Sequence, residues 1–416
     1  MQQPFRIAVV GAGIVGTSTA LALRKRGADV TLIDRGEPGS GCSAGNSGAV
    51  SPASVAPLAM PGVLASVPGM LFDDESPLYL PLRYLPRALP WLMRFVASAR
   101  PAAVQAAAAK LNAIHTDALE AHEAMSRELG VPELFLRQGH LHLYPDATAL
   151  AKDAGGWRLR ASYGFKAEQL DRGGIEALEP GIAARYQVGM FLADHATILN
   201  PLRYVQAMAA AYASAGGRIV RAGVEGLLPE GGQWRLQGPT ESTTEPLFDH
   251  VVVAAGAWSK ALLAPLGVHL ALESQRGYHL QFEGARDVVS RTVILADRKV
   301  FVTPMEEGLR VGGTVEIGGL IAPPDPRRAA MLGRIARDTF QGLENRPIRT
   351  WMGHRPCMPD SVPVVGAAKG HPGLWLACGH GHLGLTDSLN TAQQIAQALL
   401  GATPVATRSG VALAAV

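Results

Sequence analysis

The sequence predicts an α/β domain on a parallel sheet joined to a second, α+β domain built on an antiparallel sheet. Three observations carry this. Phe5 to Val10 is an apolar run closed by glycine, followed by a helical stretch from about Ile14 to Arg26 and a second strand from Asp29 to Ile33. From Leu272 onward the pattern changes to strands without intervening helices, at Tyr278 to Phe282, Thr292 to Ala296, Val300 to Pro304 and Leu309 to Gly312. The chain has 416 residues, longer than one hydrophobic core usually organises.

The elements between follow in order. Pro86 to Ala99 is apolar with aromatics, and Ala102 to Leu129 is Ala-rich with polar residues spaced along it, so both read as helices. A strand at Leu141 to Tyr144 begins a second region. Asn200 before Pro201 is a helix start, cap followed by N1 proline, and that helix runs to about Ser214, where Gly216 and Gly217 stop it. Strands at Arg218 to Val220, Trp234 to Gln237 and Val251 to Ala254 return the chain to the first sheet. A helix near Arg327 to Leu343, a strand at Leu374 to Ala377 and a helix from about Thr386 to Leu400 follow. The predicted first domain is therefore discontinuous, formed by 1–85, 198–265 and 340–416, and the second takes 86–197 and 266–339.

Composition removes several function classes. Lys plus Arg number 38 against 35 Asp plus Glu, a net charge of +3, which argues against a nucleic-acid binder. With 48% hydrophobic and 18% charged residues the chain is not disordered. Three scattered cysteines, Cys42, Cys357 and Cys378, support neither a disulfide framework nor a zinc site, and a reducing, cytoplasmic compartment fits them. The residues between Glu37 and Asp73 carry no charge, but Pro52, Pro57, Pro61 and Pro68 interrupt them, so they form a neutral loop and not a membrane helix.

The chemistry starts at Gly11-Ala12-Gly13-Ile14-Val15-Gly16, which follows a strand and opens a helix, with Asp34 ending the next strand. Gly11 permits the tight turn, Gly13 lets backbone N–H groups approach a pyrophosphate, and Gly16 allows helix to pack on strand. Asp34 can accept from both ribose hydroxyls. This Rossmann-like context predicts an ADP-containing cofactor at Gly11, Gly13, Ile14, Val15, Gly16 and Asp34. Two later segments favour a flavin over NAD. Asp249 to Ala257 is a strand ending in the small residues Ala255 and Gly256, and Gly379-His380-Gly381-His382-Leu383-Gly384 places a second helix N-terminus at a ligand. Reduced flavin gains negative charge at N1 and the C2 carbonyl, which such a positive end favours.

An ordered series of motifs then carries a resemblance over nearly the whole chain. It comprises the fingerprint with Ile33-Asp34-Arg35, Ser43-Ala44-Gly45-Asn46-Ser47-Gly48 with Ser51-Pro52 and Ala56-Pro57, and Gly277-Tyr278. It continues with Arg310-Val311-Gly312-Gly313 and Glu316, Gly353-His354-Arg355-Pro356 with Pro359-Asp360, Pro363-Val364-Val365-Gly366, and Gly379-His380-Gly381 with Leu383-Gly384. The chain resembles the FAD-dependent D-amino-acid oxidase superfamily, and within it the bacterial D-amino acid dehydrogenases. The resemblance implies a glutathione-reductase-2-type FAD fold, non-covalent FAD, and oxidation of a D-amino acid to its imine. By position it adds Arg35, Ser43, Asn46, Ser47, Gly48 and Val224, with Gly381, His382, Leu383 and Gly384, to the cofactor contacts. Departures exist at His382, where a small polar residue is usual, at Leu385-Thr386, where Trp-Thr is common, and at Ala49, where Gln is expected. The histidine points to a polar or cyclic substrate such as a D-hydroxyproline.

Three residues are candidates for the reaction itself. The substrate carboxylate needs a bidentate partner, and Arg355 in the family's motif is assigned that role. Tyr278 is either a second donor to that carboxylate or a core residue with its hydroxyl satisfied. His382 would hydrogen-bond the substrate or tune the reduced flavin. His354 and His380 are weaker candidates, and His380 with His382 lacks the companions a metal site requires, so no metal is expected. Cys42 is read as a small buried thiol before a covalent flavin link.

Between Met60 and Arg100, Leu71, Phe72, Leu78, Tyr79, Leu80, Tyr84, Leu85, Leu89, Trp91, Leu92 and Phe95 mix with Arg83, Arg87, Arg94 and Arg100. A helix packing on the Ala-rich one is preferred; peripheral contact with the inner membrane, passing electrons to a quinone, is the other reading. An amino-acid or amine oxidase producing hydrogen peroxide is the competing activity, and an NAD-binding or non-enzymatic module the competing class.

Overall fold

The computed structural model describes residues 5–62, 77–238 and 246–401. Leu71 and Phe72 lie outside them. Six strands form the first sheet, in the order Arg218–Arg221, Asp29–Asp34, Arg6–Val10, His250–Val253, Leu374–Cys378 and Val364–Ala367. All pairs are parallel except the last, which is antiparallel. Alternation along the central strand feeds two cores: Ile7 and Val9 pack against the helices Ile14–Lys25, Pro201–Ser214 and Gly384–Leu400, while Ala8 and Val10 face the opposite layer. That layer includes a ribbon of Gly226–Glu230 paired with Gln233–Gln237. Trp234 to Gln237 was expected in the main sheet; Trp234 and Leu236 instead cover its face, where they bury against Val251 and Val253.

The second sheet has nine strands. Ile348–Cys357, Glu273–Glu283, Gly308–Ile317, Val300–Met305 and Thr292–Leu295 run antiparallel in that order. Thr292–Leu295 then pairs in parallel with His140–Tyr144, and Leu78–Tyr79 in parallel with Gly308–Ile317, so the sheet is mixed where a purely antiparallel one was predicted. The helix Pro326–Thr339 covers Tyr278, Leu280 and Phe282 on one face. Ile348–Cys357, inside the segment 340–416 assigned to the first domain, pairs along Glu273–Glu283 and ties the two halves together.

The Ala-rich segment is two helices, Pro101–His115 and Ala118–Glu128, separated by Asp117 in a left-handed conformation with φ 55°. The break has partners far along the chain. Asn390 Nδ2 donates to the carbonyls of Ile114 and Thr116, each at 2.7 Å, and His115 Nε2 lies 3.1 Å from Asp387. Tertiary contacts replace the intrahelical bonds that a continuous helix would make. Asn390→Ala is expected to cost about 1–2 kcal/mol, seen as a lower urea midpoint at unchanged slope, because those carbonyls lose their donor.

The helix Leu85–Ser98 does not bury its inner face on the Ala-rich helix. Ala88 and Trp91 join Ile317 and Cys357 of the large sheet, Trp91 Nε1 donates to the Cys357 carbonyl at 3.2 Å, and Trp91 stacks on Phe95 with centroids 5.1 Å apart. Its outer face leaves Leu85, Leu89 and Met93 exposed, as is Leu82 in the turn before it. No helix among the described residues is long and apolar enough to cross a membrane.

Candidate active site

A cleft of about 380 Å³ opens at the carboxyl ends of the parallel strands, where an open α/β sheet binds its ligand. Gly11, Gly13, Ile14, Val15, Asp34, Arg35, Ser43, Asn46, Val224, Ala255, Gly256, Gly381 and Gly384 line it. Gly16, Ser47, Gly48, His382 and Leu383 do not. Gly16 lies beneath the turn, where a Cβ would stand 1.8 Å from the Gly11 carbonyl oxygen, so its role is packing. Gly48 is turned toward the neighbouring strand, its carbonyl accepting from Ile198 N at 2.7 Å, and Ser47 faces Gly312 of the second sheet. Leu383 is buried, and its carbonyl accepts from Asp387 N.

The cleft fits FAD on its own geometry. Asp34 is oriented by two backbone donors, Ala12 N at 2.7 Å and Gly36 N at 2.9 Å, which leaves its carboxylate at the cleft wall. Gly11, with φ 109°, lies so close to Ala254 that a Cβ would be 2.4 Å from that carbonyl. The first helix starts at Gly13 without a side chain of its own as cap; Ser43, from the neutral loop, supplies an oxygen 2.9 Å from Ile14 N. At the far end Gly384 and Leu385 open the last helix, so two helix N-termini meet one cleft. Cys42 also lines it. Burial pushes its thiol up, against the opposing pull of Arg355.

Trp258 lines the cleft and Arg310 holds the loop beside it, neither having been expected as a contact. The Arg35 guanidinium lies 4.4 Å from the Trp258 ring centroid, and His354 makes a T-shaped contact with the same ring at 5.4 Å. Arg310, on the strand Gly308–Ile317, donates through Nη1 to the carbonyls of Ala44 at 3.1 Å and Asn46 at 2.6 Å, while Gln281 Oε1 accepts from its Nε and Nη2. Burial lowers its pKa to about 10. The neutral loop is thus clamped from the second sheet by one desolvated cation. Replacing Arg310 with Ala is expected to weaken FAD retention about tenfold or more and lower stability by about 2–3 kcal/mol, measured by flavin absorbance after dialysis and by thermal melting.

Arg355 stands between the cleft-lining residues His354 and Pro356 and faces Gly277, whose missing side chain makes room for it: a Cβ there would be 2.3 Å from the guanidinium carbon. Nη1 donates to the Thr314 carbonyl at 3.1 Å, and among the described residues it forms no ion pair. Burial lowers its pKa, against the opposing influence of the Cys357 and Cys42 thiols. His382 is exposed to solvent. Desolvation, helped by Arg355, holds it down at about 4, a neutral imidazole at neutral pH.

Tyr278 is not part of this group. Its side chain lies in the core under helix Pro326–Thr339 with Leu280 and Phe282, its hydroxyl donates to Glu316 and accepts from Asp325 N at 3.0 Å. A strand alternates faces, and Gly277 already faces Arg355. The role of second carboxylate donor is therefore withdrawn, and the satisfied-core reading stands. His380 does line the cleft, with its Nε2 held 2.9 Å from Thr391 Oγ1.

A parallel-sheet cleft with two helix N-termini and an oriented ribose-type carboxylate defines a dinucleotide-dependent redox protein. The particular family follows from comparison: the chain belongs to the FAD dependent oxidoreductases (DAO), whose profile matches residues 6–398. It is 38% identical over 411 residues to a D-amino-acid oxidase of Bradyrhizobium diazoefficiens, covering 97% of each chain. It is 34% identical to D-amino acid dehydrogenase 2 of Ralstonia nicotianae, over 98% of this chain and 100% of that one. Its fold matches glycine oxidase from Geobacillus kaustophilus with TM-score 0.72 at 20% identity, covering 95% of both. The protein is an FAD-dependent oxidoreductase of the D-amino acid dehydrogenase and oxidase family.

Proposed function

We propose that the protein dehydrogenates a D-amino acid, a cyclic one such as a D-hydroxyproline being the first to test, with Arg355 as the carboxylate clamp. One observation carries this: a desolvated guanidinium, without an acidic partner among the described residues, stands beside the cofactor cleft. A buried charge is costly unless paired, and a substrate carboxylate supplies the missing charge with the bidentate geometry arginine favours. Bound FAD supplies the hydride acceptor. Arg355 orients the substrate, its positive charge in the desolvated site favours the uncharged amine whose lone pair drives hydride loss, and the neutral His382 can accept a hydrogen bond from that amine. Positioning rather than a strong base performs the catalysis. In this reading 1–85, 198–265 and most of 340–416 serve the cofactor and 86–197 with 266–339 the substrate, except that Arg355 reaches the substrate from 340–416 and Arg310 of 266–339 holds the cofactor loop.

The test is anaerobic bleaching of the flavin by a panel of D-amino acids and D-hydroxyproline isomers, with L-enantiomers as controls. Bleaching by L-forms alone, or by none of the panel, would refute the reading. The alternative is an oxidase, favoured by the 38% identity to a D-amino-acid oxidase. Hydrogen peroxide formed stoichiometrically under air selects it.

For the dehydrogenase, the exposed strip Leu82, Leu85, Leu89 and Met93, flanked by exposed Arg83, Arg87, Arg94 and Arg100 with no acidic residue between 77 and 100, suits an anionic membrane surface holding a quinone. Buried Trp91 is not available for such contact. Leu89→Glu with Met93→Glu is expected to abolish co-sedimentation with anionic liposomes and slow quinone reduction while soluble-dye reduction is unchanged.

A further inference from the structure

The first turn of the last helix carries a pair of ionisable groups that the reaction above does not use. His115 Nε2 lies 3.1 Å from Asp387 Oδ1, and each side chain is 1% exposed. Neither Asp387 oxygen has a hydrogen-bond donor among the described residues, although buried polar atoms are ordinarily satisfied. The groups around it are accounted for. His122 Nε2 meets the Leu385 carbonyl at 2.8 Å and its Nδ1 meets Tyr204 Oη at 3.0 Å. His380 pairs with Thr391, and His382 feels Arg355, Asp387 and His115 together. His115 is itself held from the neutral loop, its Nδ1 3.2 Å from the Pro52 carbonyl. A buried carboxylate kept without hydrogen bonds is poorly explained by stability, because removing such a pair in favour of apolar packing is often neutral or stabilising.

We propose that the buried pair of Asp387 and His115 sets the reduction potential of the bound flavin. Gly384 and Leu385 line the cofactor cleft, and Asp387 follows in the same helical turn. The helix N-terminus favours the negative charge gained on flavin reduction. Asp387 opposes that field from within the turn and lowers the potential; His115 offsets the carboxylate and raises it. The pair therefore governs which acceptors the reduced flavin can supply. As positioning residues neither touches substrate.

The inference rests on the FAD site and not on the substrate assignment, so its test uses reference-dye equilibration of the holoenzyme without substrate. At fixed potential, Asp387→Asn is expected to raise the ratio of reduced to oxidised flavin roughly tenfold, about 30 mV for this two-electron couple. His115→Gln is expected to lower it by a similar factor, and Asp387→Glu to restore a near-native value. A purely structural pair would move both variants the same way, or leave the potential unchanged while the melting temperature falls, and either result overturns the proposal. If Asp387→Asn sheds FAD, His115→Gln still decides the sign, with Asp387→Glu as the near-native control.

Discussion

Arg355→Leu is expected to lower kcat/KM for the D-amino acid by about 10²- to 10³-fold, the largest loss of any substitution outside the cofactor cleft. Truncating one member of a desolvated charge pair costs about 2–5 kcal/mol, and each 1.4 kcal/mol is tenfold. The effect is specific to the substrate. Arg355 points toward Gly277, away from the cleft wall formed by its neighbours His354 and Pro356, so the variant retains FAD with an unchanged visible spectrum. Arg355→Lys keeps the charge but loses the planar fork, and an intermediate rate is expected. Stability moves the other way. The guanidinium's Nη1 is bonded to the Thr314 carbonyl, but without substrate it has no ion pair among the described residues, so the leucine variant is expected to melt no lower than the native protein. A site that binds charge is preorganised at the expense of the empty fold. Steady-state kinetics, anaerobic bleaching and thermal melting read the three effects separately; a leucine variant with native kcat/KM would remove Arg355 from the mechanism.

The cofactor half of the site was legible because its requirements are local. A turn at Gly11, a helix packed through Gly16 and a carboxylate at Asp34 occupy fixed offsets in one βαβ unit, and backbone geometry enforces them. The break at Asp117 was not legible. Its neighbours have ordinary helix propensity, and what opens the chain is Asn390 and Asp387, more than 270 residues away. The strand Ile348–Cys357 escaped for a different reason. Alternation of apolar and polar residues fails there because its faces carry Trp351, His354 and Arg355, which serve the site and its neighbours in place of a core. Tyr278 shows the limit of motif reasoning. Its place beside Gly277 in a family motif identifies the strand but not which of the two alternating faces meets the site.

Gly16→Ala and Gly13→Ala, two single methyl additions three residues apart, are expected to separate folding from cofactor binding. At Gly16 the new Cβ would meet the Gly11 carbonyl oxygen at 1.8 Å and Ala254 Cβ at 3.3 Å. The first obstacle is backbone, which cannot rotate aside. Restoring ordinary contact distances near 3.5 Å means moving the first helix roughly 1.5 Å off the strand Arg6–Val10, in an interior packed too densely to absorb it. That costs about 3 kcal/mol or more, at or beyond the upper end for overpacking. Because the same helix N-terminus faces the cleft, the protein is expected to purify colourless and to melt well below native even with excess FAD. Gly13 differs in kind. Its φ of −70° and ψ of −179° suit any residue, and its added Cβ would reach only Ser43 Oγ, at the ordinary distance of 3.5 Å. The apoprotein carrying Gly13→Ala is therefore expected to fold within about 0.5 kcal/mol of native. The methyl nevertheless occupies the space through which the pyrophosphate approaches the backbone, so FAD affinity falls at least tenfold, about 1.4 kcal/mol. Fluorescence titration of FAD into each apoprotein, beside urea unfolding of the same samples, measures both quantities. Equal losses of stability in the two variants would mean that the glycines serve one structural purpose, and the division of labour between turn, phosphate approach and helix packing would have to be abandoned.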